Sequence, residues 1–385
     1  MRFRLKTVIL LPLIFLVIAA LVIWFVRSPS PTGEDRNSAA SIQAQNSTRE
    51  ASRLPLITMK DLRSQPDWSE LDRFQDQMTR ERFESLLKTV YTKNGAWQDF
   101  LTLTSSHAEV RTGSGTPYRI RYAKAPLPRP PRPSLKGLKI AIDPGHIGGS
   151  FAEMEERHLD YGGSQPIREG AMTLATARLL RPMLEELGAQ VTLVRKDEEP
   201  VLQIPAERFA SKKLFYRTAE IRARGRLVNE QIRPDLVLCL HYNASGSPIP
   251  IPGQHFHLLI NGAYHRSELR SPDELQEMLH RLLSDYYDTE LPLSEAMVDA
   301  FEDHTRLPPY RYRPDHPFSI QLDRNPYIYA RNLLANRLYH APVIYFEPYV
   351  MNSTDFIARH RQDPEAIYRE YAHAVVAGLR SYYSQ

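Results

Sequence analysis

The chain has 385 residues, 42% of them hydrophobic and 24% charged, an ordinary globular composition that excludes a wholly disordered protein. Lys and Arg total 49 against 45 Asp and Glu, and the resulting net charge of +4 is too weak at this length to argue for a nucleic-acid partner. The single cysteine, Cys239, excludes an intramolecular disulfide and a multi-cysteine zinc module; any metal must rest on His, Asp and Glu, for which 13 histidines leave room.

Val8 to Val26 is an unbroken apolar run. As a helix rising ~1.5 Å per residue it matches the ~30 Å hydrocarbon core of a bilayer. Arg2, Arg4 and Lys6 precede it, while Arg27 and Arg36 come after it, diluted by Glu34 and Asp35. The positive-inside rule then puts the N-terminus in the cytoplasm and the rest of the chain outside. The run continues past Ala19-Ala20 and is longer than the apolar part of a cleaved signal peptide, so residues 1–27 are expected to form an uncleaved signal anchor, with a cleaved peptide as the alternative. Residues 28–55 are rich in Ser, Asn, Gln, Thr and Pro and read as a flexible linker.

Between 59 and 95, Leu71, Phe74, Met78, Phe83, Leu86, Leu87, Val90 and Tyr91 recur at helical steps. A Gly-Ser-Gly turn at 113–115 and then Tyr118-Arg-Ile-Arg-Tyr predict a hairpin. Residues 56–125 are thus expected to form a small α+β domain, to which no chemistry attaches. A Pro-rich linker over 126–136 would separate it from the larger C-terminal domain.

From Leu138 strands and helices alternate. Strands are predicted at 138–143, 190–194, 235–241, 254–260 and 342–347. Helices are predicted at 169–187, closed by Gly188, and at 219–232, 272–287, 329–338 and 364–382. This order predicts an α/β domain over 137–385 with a mostly parallel sheet flanked by helices. Residues about 262–325 do not fit a minimal βαβ rhythm and read as an insertion on one rim.

Ligands in open α/β sheets gather at the carboxyl ends of strands. Here those ends carry Asp143-Pro-Gly-His146, His241-Tyr-Asn243 and Phe346-Glu347, and Glu169 opens the first long helix of the domain. Two imidazoles and a carboxylate are a recognised zinc ligand set, and a second carboxylate would supply a general base. No HExxH-type motif is present, and the spacing alone is weak support.

The surrounding segments add to it. Ile140-Ala-Ile-Asp-Pro-Gly-His-Ile-Gly-Gly149, Arg168-Glu-Gly-Ala-Met-Thr-Leu-Ala-Thr-Ala177, Gly188-Ala-Gln-Val-Thr-Leu-Val-Arg195, Pro234-Asp-Leu-Val-Leu-Cys-Leu-His-Tyr-Asn-Ala244 and Pro342-Val-Ile-Tyr-Phe-Glu347 stand in that order. Over about 137–383 the chain resembles the zinc-dependent N-acetylmuramoyl-L-alanine amidases of the Amidase_3 family. The resemblance implies that His146, Glu169 and His241 bind one Zn²⁺ and that Glu347 is the general base and then the general acid. It implies peptidoglycan as substrate, cut between N-acetylmuramic acid and L-alanine. The anchor read from residues 8–26 agrees with that substrate, and the expected location is the bacterial cytoplasmic membrane with the catalytic domain on the periplasmic side. Asn243 and Arg195 are candidate substrate-binding residues. A zinc peptidase acting on the stem peptide and a non-catalytic peptidoglycan-binding scaffold are the alternative readings. The sequence departs from the family where Ile147 separates His146 from Gly148-Gly149, and after Glu347, where it reads Pro-Tyr-Val-Met-Asn. The acidic loop Glu153, Glu155, Glu156, His158 and Asp160 is a candidate rim. Some family members carry a helix that covers the zinc until an activator protein removes it, and Leu291 to Glu302 is the candidate for it here.

Overall fold

The computed structural model describes residues 55–384 apart from 64, 114, 129–132 and 163–165. The expected anchor at 1–27 lies outside the described residues. Among those described, no helix is long and apolar enough to cross a membrane.

Residues Ile57–Gln385 form one compact unit. Helix α1 (Arg80–Leu86) starts at Thr79, whose hydroxyl accepts from the Arg82 N–H, and runs on in a wider, π-type turn to Tyr91. The expected hairpin is a three-stranded antiparallel sheet of β1 (Leu101–Leu103), β2 (His107–Val110) and β3 (Tyr118–Arg121). Its inward residues Ala108, Val110 and Ile120 join Phe83, Leu86, Leu87 and Val90 in a cluster that continues into Leu258, Ile260 and Leu279 of the larger body. Residues 57–125 therefore share a core with that body. A unit of this size buries little surface by itself, and sharing a core supplies what it lacks.

Seven strands form the main sheet in the order β10 (Ile320–Gln321), β11 (Ile328–Ala330), β9 (Phe256–Ile260), β12 (Val343–Pro348), β8 (Leu236–Leu240), β4 (Lys139–Pro144), β7 (Gln190–Leu193). A separate two-stranded ribbon pairs β5 (His158–Leu159) with β6 (Ile167–Arg168). From β12 to β7 every pairing is parallel. β9 runs antiparallel to β12, so the sheet is mixed on that side. Apolar residues line both faces of the central strands. Ile140, Ile142, Leu238, Leu240, Ile344 and Phe346 face one cluster, while Ala141, Val237, Cys239, Val343 and Tyr345 face the other. Burial on both faces is why these strands read as continuous hydrophobic runs.

Helices α2 (Glu169–Glu186), α5 (Tyr287–Thr305) and α7 (Pro364–Tyr383) cover the first face, and α3 (Glu220–Arg226), prolonged by π-type turns at both ends, covers the second. Two further helices are α4 (Pro272–Leu283) and α6 (Thr354–Gln362). The expected rim insertion is largely core. The Phe301 ring of α5 stacks 4.4 Å from Phe256, and the buried Glu290 accepts from the Val343 N–H at 2.7 Å while pairing with the equally buried Arg281. The predicted helix at 329–338 is instead the end of β11 and a single short helix, Leu334–Arg337. Ile328, Tyr329 and Ala330 are buried beside β9, and their apolar, partly β-branched character suits a strand.

One buried cation fixes the end of β4. Arg224 donates to Asp143 at 3.0 Å and Glu220 at 2.7 Å, and to the carbonyls of Pro144 and His146 at 2.8 and 2.6 Å. Replacing it with Met leaves two carboxylates uncompensated in the interior. Arg224→Met should cost about 3–5 kcal/mol, read as a fall in the denaturant midpoint.

Buried imidazoles make the fold sensitive to acid as well. His280 of α4 stacks on His340 at 4.1 Å and meets Phe74 edge-on at 5.3 Å, joining residues 68–74 to the larger body. Burial holds His280 at about 2, helped by His340 and Arg73, and holds His340 at about 4, helped by Arg73 and Arg281. In the unfolded chain an imidazole takes its proton near 6.5. Below that pH the unfolded state binds protons that the folded state refuses, so stability is complete above ~6.5 and falls toward 4. The melting temperature should drop between pH 7 and pH 5, and His340→Gln should shrink that drop.

Candidate active site

Because β4, β8 and β12 are parallel neighbours, their carboxyl ends emerge together and carry His146, His241 and Glu347. The backbone approaches very closely here. A Cβ on Gly145 would lie 2.3 Å from the His241 ring, and one on Gly170 would lie 2.1 Å from the Ile147 carbonyl, so both positions require glycine. His146 sits at φ 60°, a left-handed conformation that costs a non-glycine residue roughly 1–2 kcal/mol. The bond from Arg224 to its carbonyl holds it there. Thr173, one turn into α2, donates to the Gly145 carbonyl at 2.7 Å and fastens the helix carrying Glu169 to the same loop.

Glu169 is the hub. Its Oε2 lies 3.2 Å from His146 Nε2 and 3.0 Å from Arg157 Nε; its Oε1 lies 3.1 Å from His241 Nδ1 and accepts from the Tyr242 N–H at 3.1 Å. Burial by itself would raise this carboxyl, but His146, His241 and Arg157 outweigh it and hold Glu169 at about 2. His146, Glu169 and His241 each offer one ligand atom, and those atoms lie within 4.8 Å of one another. Among the described residues no other His, Cys, Asp or Glu cluster is so placed. His241 Nε2 is buried with no protein partner among them. An orphaned imidazole nitrogen beside an ionised carboxylate fits a divalent cation.

Tyr345 stacks on the His241 ring at 4.4 Å, nearly parallel, and fixes its plane. Two residues on, Glu347 lies partly buried in the same cleft of about 480 Å3. Burial raises its carboxyl, His241 lowers it and Glu169 raises it, with a net value of about 7. The cleft therefore contains one carboxylate held ionised and another poised near neutrality.

Asn243 lines the cleft, with its side-chain oxygen accepting from the Ala244 N–H at 2.7 Å. Arg195 does not line it. Only 2% exposed, Arg195 spends its guanidinium on the carbonyls of Gly170, at 2.6 Å, and Asp197. Of the acidic loop, only Glu155 reaches the cleft. Its Oε2 accepts from the Ile147 N–H at 2.7 Å, and its Oε1 lies 3.6 Å from His146 Nδ1. The extra Ile147 is absorbed into a third apolar cluster with Leu202 and Phe215. Leu291 to Glu302 does not cover the site: it lies within α5, and no residue of 262–325 lines the cleft. Arg157, Arg331 and Tyr345 also line it, and sequence reasoning misses all three. Arg157 and Arg331 come from irregular segments where no periodicity marks direction, and Tyr345 follows only from the strand's alternation with Glu347.

The sequence profile of the Amidase_3 family, described as N-acetylmuramoyl-L-alanine amidase, matches residues 140–380. No curated protein sequence matches the chain. Among solved structures, the chain is similar to the N-acetylmuramyl-L-alanine amidase Ami1 from Mycobacterium smegmatis, at 18% identity and TM-score 0.43, over 66% of this chain and all (100%) of that one. It is also similar to the CwlD amidase from Clostridioides difficile in complex with the GerS lipoprotein, at 15% identity and TM-score 0.44, over 64% and 99% of the two chains. A third similar structure is the catalytic domain of CwlV from Bacillus (Paenibacillus) polymyxa var. colistinus, at 17% identity and TM-score 0.39, over 64% and 97%. With the profile matched across more than half its length, the chain belongs to the N-acetylmuramoyl-L-alanine amidase family.

Proposed function

We propose that the protein is a zinc-dependent amidase that hydrolyses the bond between the lactyl group of N-acetylmuramic acid and the L-alanine opening the stem peptide of peptidoglycan. The observation that carries this reading is the convergence of His146, Glu169 and His241 within 4.8 Å in one cleft with Glu347. These three residues would hold one Zn²⁺. When bound, the ion supplies Lewis-acid activation of water and of the scissile carbonyl.

Glu347 moves the proton. With its carboxyl near 7, it is a stronger base than an exposed glutamate; it accepts a proton from the attacking water and returns it to the departing L-alanine nitrogen. Glu169 stays ionised throughout the working range and keeps the two imidazoles oriented. Glu155 stands behind His146 as a second support. Asn243, its oxygen engaged by Ala244, has its amide nitrogen left for the substrate. The apolar run at 8–26 would anchor the chain in the bacterial cytoplasmic membrane with this cleft on the periplasmic side, where peptidoglycan lies.

Full-length protein in detergent, loaded with zinc and incubated with purified sacculi, should release intact stems beginning at L-alanine, identified by mass spectrometry. A stem-peptide peptidase would leave L-alanine on the muramic acid, and a scaffold would release nothing. Glu347→Gln should lower turnover by about 10²–10⁴-fold with zinc content unchanged. His241→Ala should lose the metal itself.

The pH profile depends on the same carboxyl. Base catalysis needs Glu347 unprotonated, so kcat/KM should fall on the acid side. The bound dication would pull Glu347 below its metal-free position. The midpoint of the acid limb should therefore lie below about 7. A limb that persists unchanged in Glu347→Gln residual activity would assign it to another group.

A further inference from the structure

Arg331 comes directly after β11 and lines the cleft with Glu347. Its backbone N–H donates to the Ile260 carbonyl at 2.8 Å, which fixes the residue to the end of β9. Its guanidinium donates to Tyr312 Oη at 2.8 Å and lies over the Tyr312 ring, 5.6 Å from the centroid. Tyr312 is set in turn by His257, whose Nε2 lies 3.3 Å from the phenol oxygen. Burial keeps the His257 imidazole neutral, so it can accept from the phenol while the phenol oxygen accepts from Arg331. His257 is opposite Glu347 in the β9–β12 register. The arginine is thus held in one orientation by a neutral support built on the strand that pairs with the catalytic one.

Among the described residues no carboxylate forms an ion pair with Arg331, although it is half-buried and influences the charge of Glu347. A fixed guanidinium fork with most donors unspent matches a carboxylate in two-point geometry. Under the amidase reading, the muramic acid side brings no free acid, because its lactyl carboxyl is consumed in the scissile amide. The stem side does: the residue after L-alanine is linked through its side-chain carboxyl, and its α-carboxyl is either free or amidated.

We propose that Arg331 is a specificity-determining residue that receives the free α-carboxylate of the stem residue next to L-alanine. This rests on the amidase reading. The plainer role, a charge that balances Glu347, would act equally on every substrate.

The test compares two muramyl peptides that differ only in whether that carboxyl is free or a carboxamide, with zinc-loaded full-length protein. Wild type should favour the free acid in kcat/KM by about 10- to 100-fold, as a charged hydrogen-bonding partner does. Arg331→Gln should abolish the preference, with the loss on the acid substrate, chiefly in KM, exceeding any loss on the amide substrate. Arg331→Lys should keep part of the preference. Tyr312→Phe, which removes only the supporting hydroxyl, should weaken it even if Arg331→Gln fails to fold. An unchanged acid-to-amide ratio in the Arg331 and Tyr312 variants, or equal loss on both substrates, overturns the assignment. Failure of zinc-loaded wild type to cleave either peptide overturns the amidase reading and this inference with it.

Discussion

The arrangement of the site depends on Arg224, a cation with almost no access to water. Its two carboxylate partners lie on different elements, Asp143 in β4 and Glu220 in the same helix as the arginine. Its two carbonyl partners are Pro144, the last residue of β4, and His146 just beyond it. Glu220 extends the network by accepting the N–H groups of Val201 and Leu202. A buried group of this kind contributes little net stability compared with apolar packing, because desolvation offsets the attraction. Its effect here is geometric: it sets a left-handed histidine at a strand end and ties it to a helix on the opposite side of the sheet from α2.

The two site carboxylates, Glu169 and Glu347, then diverge by environment. Both are removed from bulk water, and burial alone would raise both. Glu169 receives His146, His241, Arg157 and a backbone N–H, which hold it ionised. Glu347 receives fewer partners and has Glu169 itself as a like charge nearby, which leaves it close to neutrality. Separating the pKa values of neighbouring carboxyls is how one cleft provides both a permanent anion and a proton carrier. Exchanging the surroundings would exchange the roles, so residue type alone does not assign them.

Environment also decides which parts are legible in the sequence. The parallel strands announce themselves because Ile140, Leu238 and Ile344 are buried on one face and Ala141, Val237 and Val343 on the other, a run that only a covered sheet produces. The strand ends then put His146, His241 and Glu347 within reach of one another. The features that do not show are those decided by tertiary partners. Tyr-Ile-Tyr-Ala at 327–330 fits either a helix or a strand by periodicity, and pairing with β9 settles it. Arg195 ends a strand just as a substrate ligand would, yet its donors are taken by the Gly170 and Asp197 carbonyls. Glu155 stands among four other polar candidates, and only the turn of the short helix Phe151–Met154 aims it at Ile147 rather than at solvent.

The reversed strand β9 gives the cleft its asymmetry. On the β4 side, the wall is built from loops after parallel strands and is acidic and imidazole-rich, with Glu155, Glu169 and His146. On the other side, an antiparallel strand brings its first residues, not its last, alongside Glu347. That reversal places His257 against β12 and lets Tyr312 and Arg331 pack beyond it. An all-parallel sheet would put the far end of β9 there and expose a loop instead of a packed aromatic wall. One side of the cleft therefore carries the candidate metal ligands His146 and Glu169, with Arg157 against Glu169, and the other carries Arg331. Under the amidase reading, a substrate spanning both would direct its anionic part toward Arg331.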